Sequence, residues 1–172
     1  MMSVICGIMI ACLFWRESHF NSVISDASRK YGLDRFLVKA IVKRESNFRP
    51  QARGSKGEIG LMQVTPAVNK EYAHAHGRAK FTPEELCHPA INTDVGCWYL
   101  AKAMKRYRGF PDPVPFALAH YNAGAANVDR WMRMTGRKTD AREFFYAITY
   151  PTTQRYVRYV TRRRWWYRLF RV

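Results

Sequence analysis

DRFLVKAIVKRESNFRPQARGSKGEIGLMQVTP, running from Asp34 to Pro66, is the stretch that decides the fold class of this chain. Its first dozen residues put Leu37, Val38, Ile41 and Val42 at helical spacing behind Asp34, a residue suited to capping a helix. Gly54, Gly57 and Gly60 follow close together, which predicts a loop with unusual backbone angles. Thr65-Pro66 then opens another helix, with a capping hydroxyl ahead of a proline at the first helical position.

The same signals continue along the chain. Thr82-Pro83 repeats the hydroxyl–proline device, and Thr82 with Glu85, like Asp140 with Glu143, has capping-box spacing. Asn92 is expected to start a helix carrying Val95, Trp98, Tyr99 and Met104. Asp112 to Pro115 reads as a rigid link before a short apolar helix ending near Tyr121. Strand signals do not recur, and there are no internal repeats and no low-complexity linker. The expected architecture is a single all-α domain.

Composition agrees. The chain has 172 residues, a length that suits one domain, and it is 48% hydrophobic and 15% aromatic. That is enough apolar material for a real core, which argues against intrinsic disorder. A mean hydropathy of −0.37 excludes a multi-span membrane protein. There are 29 Lys and Arg against 13 Asp and Glu, a formal net charge of +16. Such a charge implies an anionic partner, whether nucleic acid, a membrane surface or an acidic polymer.

The first apolar run, VICGIMIACLFW from Val4 to Trp15, is shorter than the roughly 20 residues of a spanning helix and fits a secretory leader. The alternative is a buried N-terminal helix. Met9-Ile10-Ala11-Cys12 resembles a bacterial lipobox, making Cys12 a lipidation candidate. The leader is therefore assigned to residues 1–17, and export to the periplasm or cell envelope is expected. Cys87 and Cys97 lie beyond it and are a disulfide candidate in an exported protein. His74, His76, Cys87 and His88 are near neighbours without a metal-site pattern, so no metal is expected.

One carboxylate stands out. Val38, Ile41 and Val42 precede Glu45 by seven, four and three positions, so all share its helix face, while Lys43 and Arg44 point elsewhere. A carboxyl on an apolar face is partly desolvated. Its pKa rises from a reference of about 4.3, and it can then serve as a general acid near neutral pH. The alternative is an edge carboxylate paired with Arg44, Arg49 or Arg53.

From Glu45 onward the chain reads ESNFRPQARGSKGEIGLMQVTP, followed by ALAHYNAG (Ala117 to Gly124) and YPTTQRYVRYV (Tyr150 to Val160). This order of blocks resembles the catalytic domain of soluble-type lytic transglycosylases, marked by E-S-x-F, G-L-M-Q, A-Y-N-A-G and a terminal E-T-x-x-Y-V segment. The likeness runs from about Phe20 to Val160, and residues 18–160 are assigned to the catalytic domain. It implies a lysozyme-like α fold with a groove lined by the glycine-rich loop and helix ends. It also implies cleavage of the β-1,4 bond between N-acetylmuramic acid and N-acetylglucosamine, leaving a 1,6-anhydromuramoyl end. Glu45 would be the catalytic residue, acid first and base second, with no cofactor. Ser55, Gln63, Tyr121, Asn122, Thr152 and Tyr156 would bind substrate.

For Gln63, an amide contact to an acetamido group and a role satisfying loop carbonyls stand side by side. Leu61 and Met62 read as core. Glu58, in the glycine loop, and Asp94, near the expected helix start, read as capping groups. The chain departs from the family pattern at three places. Thr152 stands where the family has Glu, Gly54 stands where it has Ser (with Ser55 adjacent), and Thr65 replaces a common Met. A goose-type lysozyme hydrolase is the nearest enzymatic alternative. A non-catalytic basic module binding wall polymer or nucleic acid is the non-enzymatic one.

Residues 161–172, the end of RYVRYVTRRRWWYRLFRV, are read as a basic aromatic extension. Arginines beside aromatics can contact nucleic acid or lie at a membrane interface, or the aromatics can pack on the core while the arginines stay solvated. The expected partners are peptidoglycan glycan strands and an anionic membrane surface met through this segment, with no nucleic acid and a monomeric chain.

Overall fold

The computed structural model describes residues 16–135 and 140–172. The expected leader, with Cys12, lies outside them except for Arg16 and Glu17, which belong to a helical turn at 16–19. Among the described residues nine further helices follow: α1 (Asn21–Lys30), α2 (Arg35–Ser46), α3 (Pro66–Ala75), α4 (Pro83–Leu86), α5 (Pro89–Arg106), α6 (Val114–Ala123), α7 (Ala125–Thr135), α8 (Ala141–Ala147) and α9 (Pro151–Phe170). The described residues form no strands beyond isolated bridges joining Arg53 to Ile59 and Ile59 to Val64. The all-α expectation holds. None of the described helices is long and apolar enough to cross a membrane.

Helix starts follow local chemistry. Asp34 Oδ1 accepts the Phe36 amide at 2.9 Å, and Thr65 Oγ1 accepts that of Val68 at 3.2 Å. Thr82 and Glu85 complete their capping box, and Asp140 Oδ1 accepts the amides of Arg142 and Glu143. Each bond satisfies a first-turn N–H that has no partner inside its helix. The helix expected from Asn92 begins earlier, at Pro89, because proline fits the first turn and His88 already occupies the cap position. Asp94 is consequently inside α5 and does not cap it. It accepts Lys30 Nζ at 2.5 Å and the Tyr72 hydroxyl at 2.5 Å, tying α5 to α1 and α3.

Two apolar cores organise the helices. The larger surrounds α2, whose Leu37, Val38, Ala40, Ile41 and Val42 are fully or almost fully buried, with α9 packed against it and α6 packed in turn against α9. The smaller joins Ile59 and Val64 of the 47–65 loop to Tyr72, Leu86 and Val95 under α3, α4 and α5. The loop between α2 and α3 serves both, since its Leu61 and Met62 enter the larger core, as expected of them.

The cysteines do not pair. Cys97 lies fully buried in the larger core with Met62 Sδ 4.0 Å away, while Cys87 caps the end of α4 beside the smaller core, and both thiols are free. The disulfide reading is corrected: proximity in sequence does not bring the two sulfurs together when one faces each core.

The boundary expected at residue 160 has no counterpart in the backbone, because α9 runs unbroken from Pro151 to Phe170. Its Val160 and Tyr167 are fully buried. Tyr167 donates to Glu17 Oε2 at 2.9 Å, and Arg163 and Lys43 reach Glu17 Oε1 at 3.1 and 2.6 Å. These three partners hold the Glu17 carboxyl below the usual carboxylate range against the opposing effect of burial. The N-terminal turn is thereby fastened to α2 and α9.

Candidate active site

Glu45 sits in the last turn of α2, and the chain leaves that helix sharply. Asn47 and Phe48 adopt left-handed φ values of 51° and 58°. Phe48 turns back into the core, while Ser46 fixes the exit: its hydroxyl donates to the Leu61 carbonyl at 2.9 Å and accepts the Arg49 amide at 3.3 Å. The helix end carrying Glu45 is thus bonded to the loop opposite.

That loop is held by an amide the sequence reading took for a helix start. Asn92, fully buried in the first turns of α5, accepts the Met62 N–H at 2.8 Å and donates to the carbonyls of Ile59 and Leu86 at 2.8 Å each. Gly60, at φ +83°, makes this approach feasible, because a Cβ there would collide with the Asn92 amide. Gln63 has φ 48°, and its Nε2 donates to the carbonyls of Ala52 and Gly60 at 3.1 and 3.0 Å. The amide nitrogen therefore serves the loop. Glu58 accepts the Lys56 amide at 2.8 Å, a local turn bond, and its carboxyl fills the space that a Cβ at Gly54 would need. A serine at position 54 would have to displace that carboxyl.

Helix end and loop enclose an open cleft of about 700 Å³. Glu45, Phe48 and Gln63 line one part, Arg49 to Arg53 another, and Arg16, His19 and Phe20 of the N-terminal turn close a third side. Glu45 is the only carboxylate among these lining residues. Sequence reasoning missed the walls formed by Arg16, His19, Phe20 and residues 48–53. The wall at 48–53 follows from the two consecutive left-handed residues, which no composition signal announces.

Burial raises the Glu45 pKa to about 7, partly offset by the Tyr156 hydroxyl and the Arg44 charge, with the Glu58 charge adding to the rise. The arginine pairing weighed as the alternative does not form. Arg44 lies over the rings of Tyr156 and Tyr159, Arg49 Nε donates to the Ser46 carbonyl, and Arg53 faces Glu84 at 4.0 Å.

Two phenols stand beside the carboxyl and differ in what they can offer. Tyr121 donates its hydroxyl proton to the Met62 carbonyl at 2.8 Å, leaving lone pairs for its surroundings. The Tyr156 hydroxyl is buried without a hydrogen-bond partner at normal distance, so its proton is available to the neighbouring Glu45 carboxylate. The Glu45 charge pushes both phenols well above their usual range, in addition to the larger effect of burial. Asn122 is exposed and accepts the Thr153 hydroxyl at 2.8 Å, which fixes its amide with Nδ2 free of that bond. Ser55 and Thr152 are exposed and lie outside the cleft lining.

Comparison with known proteins gives this geometry a family. Residues 22–144 match the Transglycosylase SLT domain. Membrane-bound lytic murein transglycosylase C of Salmonella typhimurium is 35% identical over 122 residues, covering 67% of this chain and 34% of the relative. The soluble lytic murein transglycosylase of the same organism is 28% identical over 152 residues, covering 88% and 23%. The chain therefore spans about a third to a quarter of these relatives' length. Among solved structures, the 70 kDa soluble lytic transglycosylase of Escherichia coli superposes with a TM-score of 0.80 at 25% identity, covering 88% of this chain and 24% of that one. The Pseudomonas aeruginosa lytic transglycosylase Slt superposes with a TM-score of 0.74 at 26% identity, covering 83% and 23%. The match over residues 22–144, together with the 35% identity to transglycosylase C, places this chain in the transglycosylase SLT family.

Proposed function

We propose that the protein is a peptidoglycan lytic transglycosylase. It cleaves the β-1,4 bond between N-acetylmuramic acid and N-acetylglucosamine without water and leaves 1,6-anhydromuramoyl ends. The supporting observation is Glu45, the single carboxylate of the cleft lining, with a pKa near 7. A carboxyl at that value is well populated in both protonation states at neutral pH, as one group serving as acid and then base requires.

In the first step Glu45 gives its proton to the glycosidic oxygen while the bond from the anomeric carbon to that oxygen breaks. Positive charge develops at the anomeric carbon. The carboxylate then takes the proton of the muramoyl C6 hydroxyl, whose oxygen bonds to the anomeric carbon. Glu45 ends protonated as it began, and no water is consumed. Two-carboxylate glycosidases need a second Asp or Glu as base or nucleophile. Glu58, the nearest contender, is engaged with the Lys56 amide and absent from the lining.

Tyr156 would stabilise the ionised form of Glu45, and the Tyr121 lone pairs would face the developing cation. The arginine-rich walls would attract the carboxylates of wall peptides, with salt weakening the encounter. Gln63 Oε1, Asn122 Nδ2 and backbone of the loop would bind the sugars. We assign Ser55 and Thr152 to outer contacts with the glycan. The apolar leader supports export to the periplasm or cell envelope, where that polymer lies.

Purified wall incubated with Glu45→Gln should still retain the protein in pelleting assays, and no anhydromuropeptides should appear. If the variant makes them, Glu45 is not the acid. If the wild type releases only hydrolysed reducing ends, the goose-type lysozyme reading takes its place.

A further inference from the structure

Helix α9 presents two faces. Thr153, Tyr156, Val157, Val160 and Tyr167 point into the core. On the opposite side, at helical spacing, come Arg155, Arg158, Arg162, Trp165 and Leu169, all exposed, over a rise of about 21 Å. Among the described residues, the large apolar side chains that are exposed concentrate here: Tyr159, Trp165 (64% exposed), Leu169 (58%), Phe170 (55%) and Val172, against only Met134, Tyr146 and Tyr150 elsewhere. No described carboxylate pairs with Arg155, Arg158, Arg162 or Arg168, because Glu17 and Asp34 are taken by Arg163 and Arg164 on the flanks of the buried face. Arg155, Arg158, Tyr159, Arg162 and Trp166 also border a shallow depression of about 410 Å³.

The order along the helix is informative. Arginines occupy the first half of this face, and Trp165 and Leu169, flanked by Phe170, occupy the end, where Arg168 and Arg171 are exposed beside them. A nucleic acid would find phosphate contacts but little use for Leu169 and Phe170, and a wall polymer would leave all the apolar surface wet. A lipid interface satisfies both halves. Apolar ends enter the acyl boundary, indole rings settle at the headgroup level, and arginines reach the phosphates.

We propose that the outer face of α9 docks the protein on an anionic phospholipid surface, with Trp165, Leu169 and Phe170 entering the interface and Arg155, Arg158 and Arg162 holding headgroup phosphates. The docking is independent of the chemistry assigned to Glu45.

Sedimentation of the full chain with vesicles of phosphatidylcholine alone, or mixed with phosphatidylglycerol, tests it. Any contribution of the N-terminal apolar segment is shared by all variants. Binding to the anionic vesicles should weaken roughly tenfold or more in the triple variant Arg155→Gln, Arg158→Gln, Arg162→Gln. It should also weaken several-fold in Trp165→Ser with Leu169→Ser, whose charge is unchanged, while cleavage of lipid-free wall by both variants stays at the wild-type level. Equal binding to neutral and anionic vesicles would overturn the proposal. So would wild-type vesicle binding by the Trp165–Leu169 variant, which would reduce the face to a diffuse charge. Binding of a DNA duplex or of lipid-free wall that falls in the same variants by the same factors would reassign the face to that polymer.

Discussion

Replacing Glu45 by Gln removes a charge the fold opposes and leaves the shape of the side chain nearly unchanged, so it should stabilise the protein in a pH-dependent way. The folded carboxyl titrates near 7, and its ordinary value is 4.5. Below pH 4.5 the group is protonated in both folded and unfolded chains and contributes nothing to the difference. Between 4.5 and 7 the unfolded chain releases a proton that the folded chain retains, so stability falls as pH rises. Above 7 the full penalty is present. A shift of about 2.5 units corresponds to ~3 kcal/mol at 1.36 kcal/mol per unit, an upper figure because the side chain keeps some contact with solvent. For a chain of this size that is a rise in melting temperature of roughly 5–10 °C at pH 8. Urea unfolding of both proteins from pH 4 to pH 9 reads it directly. The curves should coincide at the acid end and separate progressively between 4.5 and 7, with the variant more stable. Equal stability across the range, or a variant less stable at pH 8, would refute the idea that burial strains this carboxylate.

Other changes report on the surroundings. Tyr156→Phe removes a hydroxyl that makes no normal hydrogen bond. Melting should change by less than about 1 kcal/mol, while the alkaline limb of the rate profile moves to higher pH because Glu45 loses a donor favouring its charged form. An unmoved limb would dissociate Tyr156 from the acid. Asn92→Ala leaves one N–H and two carbonyls of the 47–65 loop region without their partner, which should cost roughly 2–4 kcal/mol in urea unfolding and depress turnover through a loosened cleft wall. Full activity in that variant would show that the loop is held elsewhere. Glu17→Gln leaves Lys43 and Arg163 without their carboxylate and should destabilise the protein by about 3 kcal/mol at pH 7. Because the Glu17 pKa is lowered in the fold, the loss should shrink as pH falls below 4.5, where the wild type surrenders the same ion pairs. A loss that stays constant down to pH 3 would contradict this.

The parts of the fold legible in sequence are those set by local chemistry. Asp34, Thr65, Thr82 and Asp140 satisfy amides two or three residues away, so their pattern survives in any context. Helical periodicity likewise places Glu45 on the face of Val38 and Val42, but its choice over an edge carboxylate paired with arginine rests on the family resemblance of the blocks that follow it. Tertiary contacts are not readable this way. Asn92 looks like a cap until the loop it bonds, some thirty residues earlier, is in place. The cysteines look like a pair until α5 turns one of them into a different core. Glu17, which the sequence reads as the last residue of a leader, is buried because α9 returns to it from the other end of the chain. The arginine-rich C-terminus admits opposite readings, and both are realised, Tyr167 inward and Trp165 outward, since a helix with a mixed surface can do both at once.

In the proposed chemistry one carboxylate breaks the glycan bond without consuming water. The direct measurement is digestion of purified peptidoglycan in water enriched in heavy oxygen, followed by mass spectrometry of the muramoyl ends. Transglycosylation gives ends lighter than the hydrolysed product by one water and free of the heavy isotope, and none of them should form with Glu45→Gln. Muramoyl ends carrying one heavy oxygen at the anomeric carbon would contradict it and identify a hydrolase.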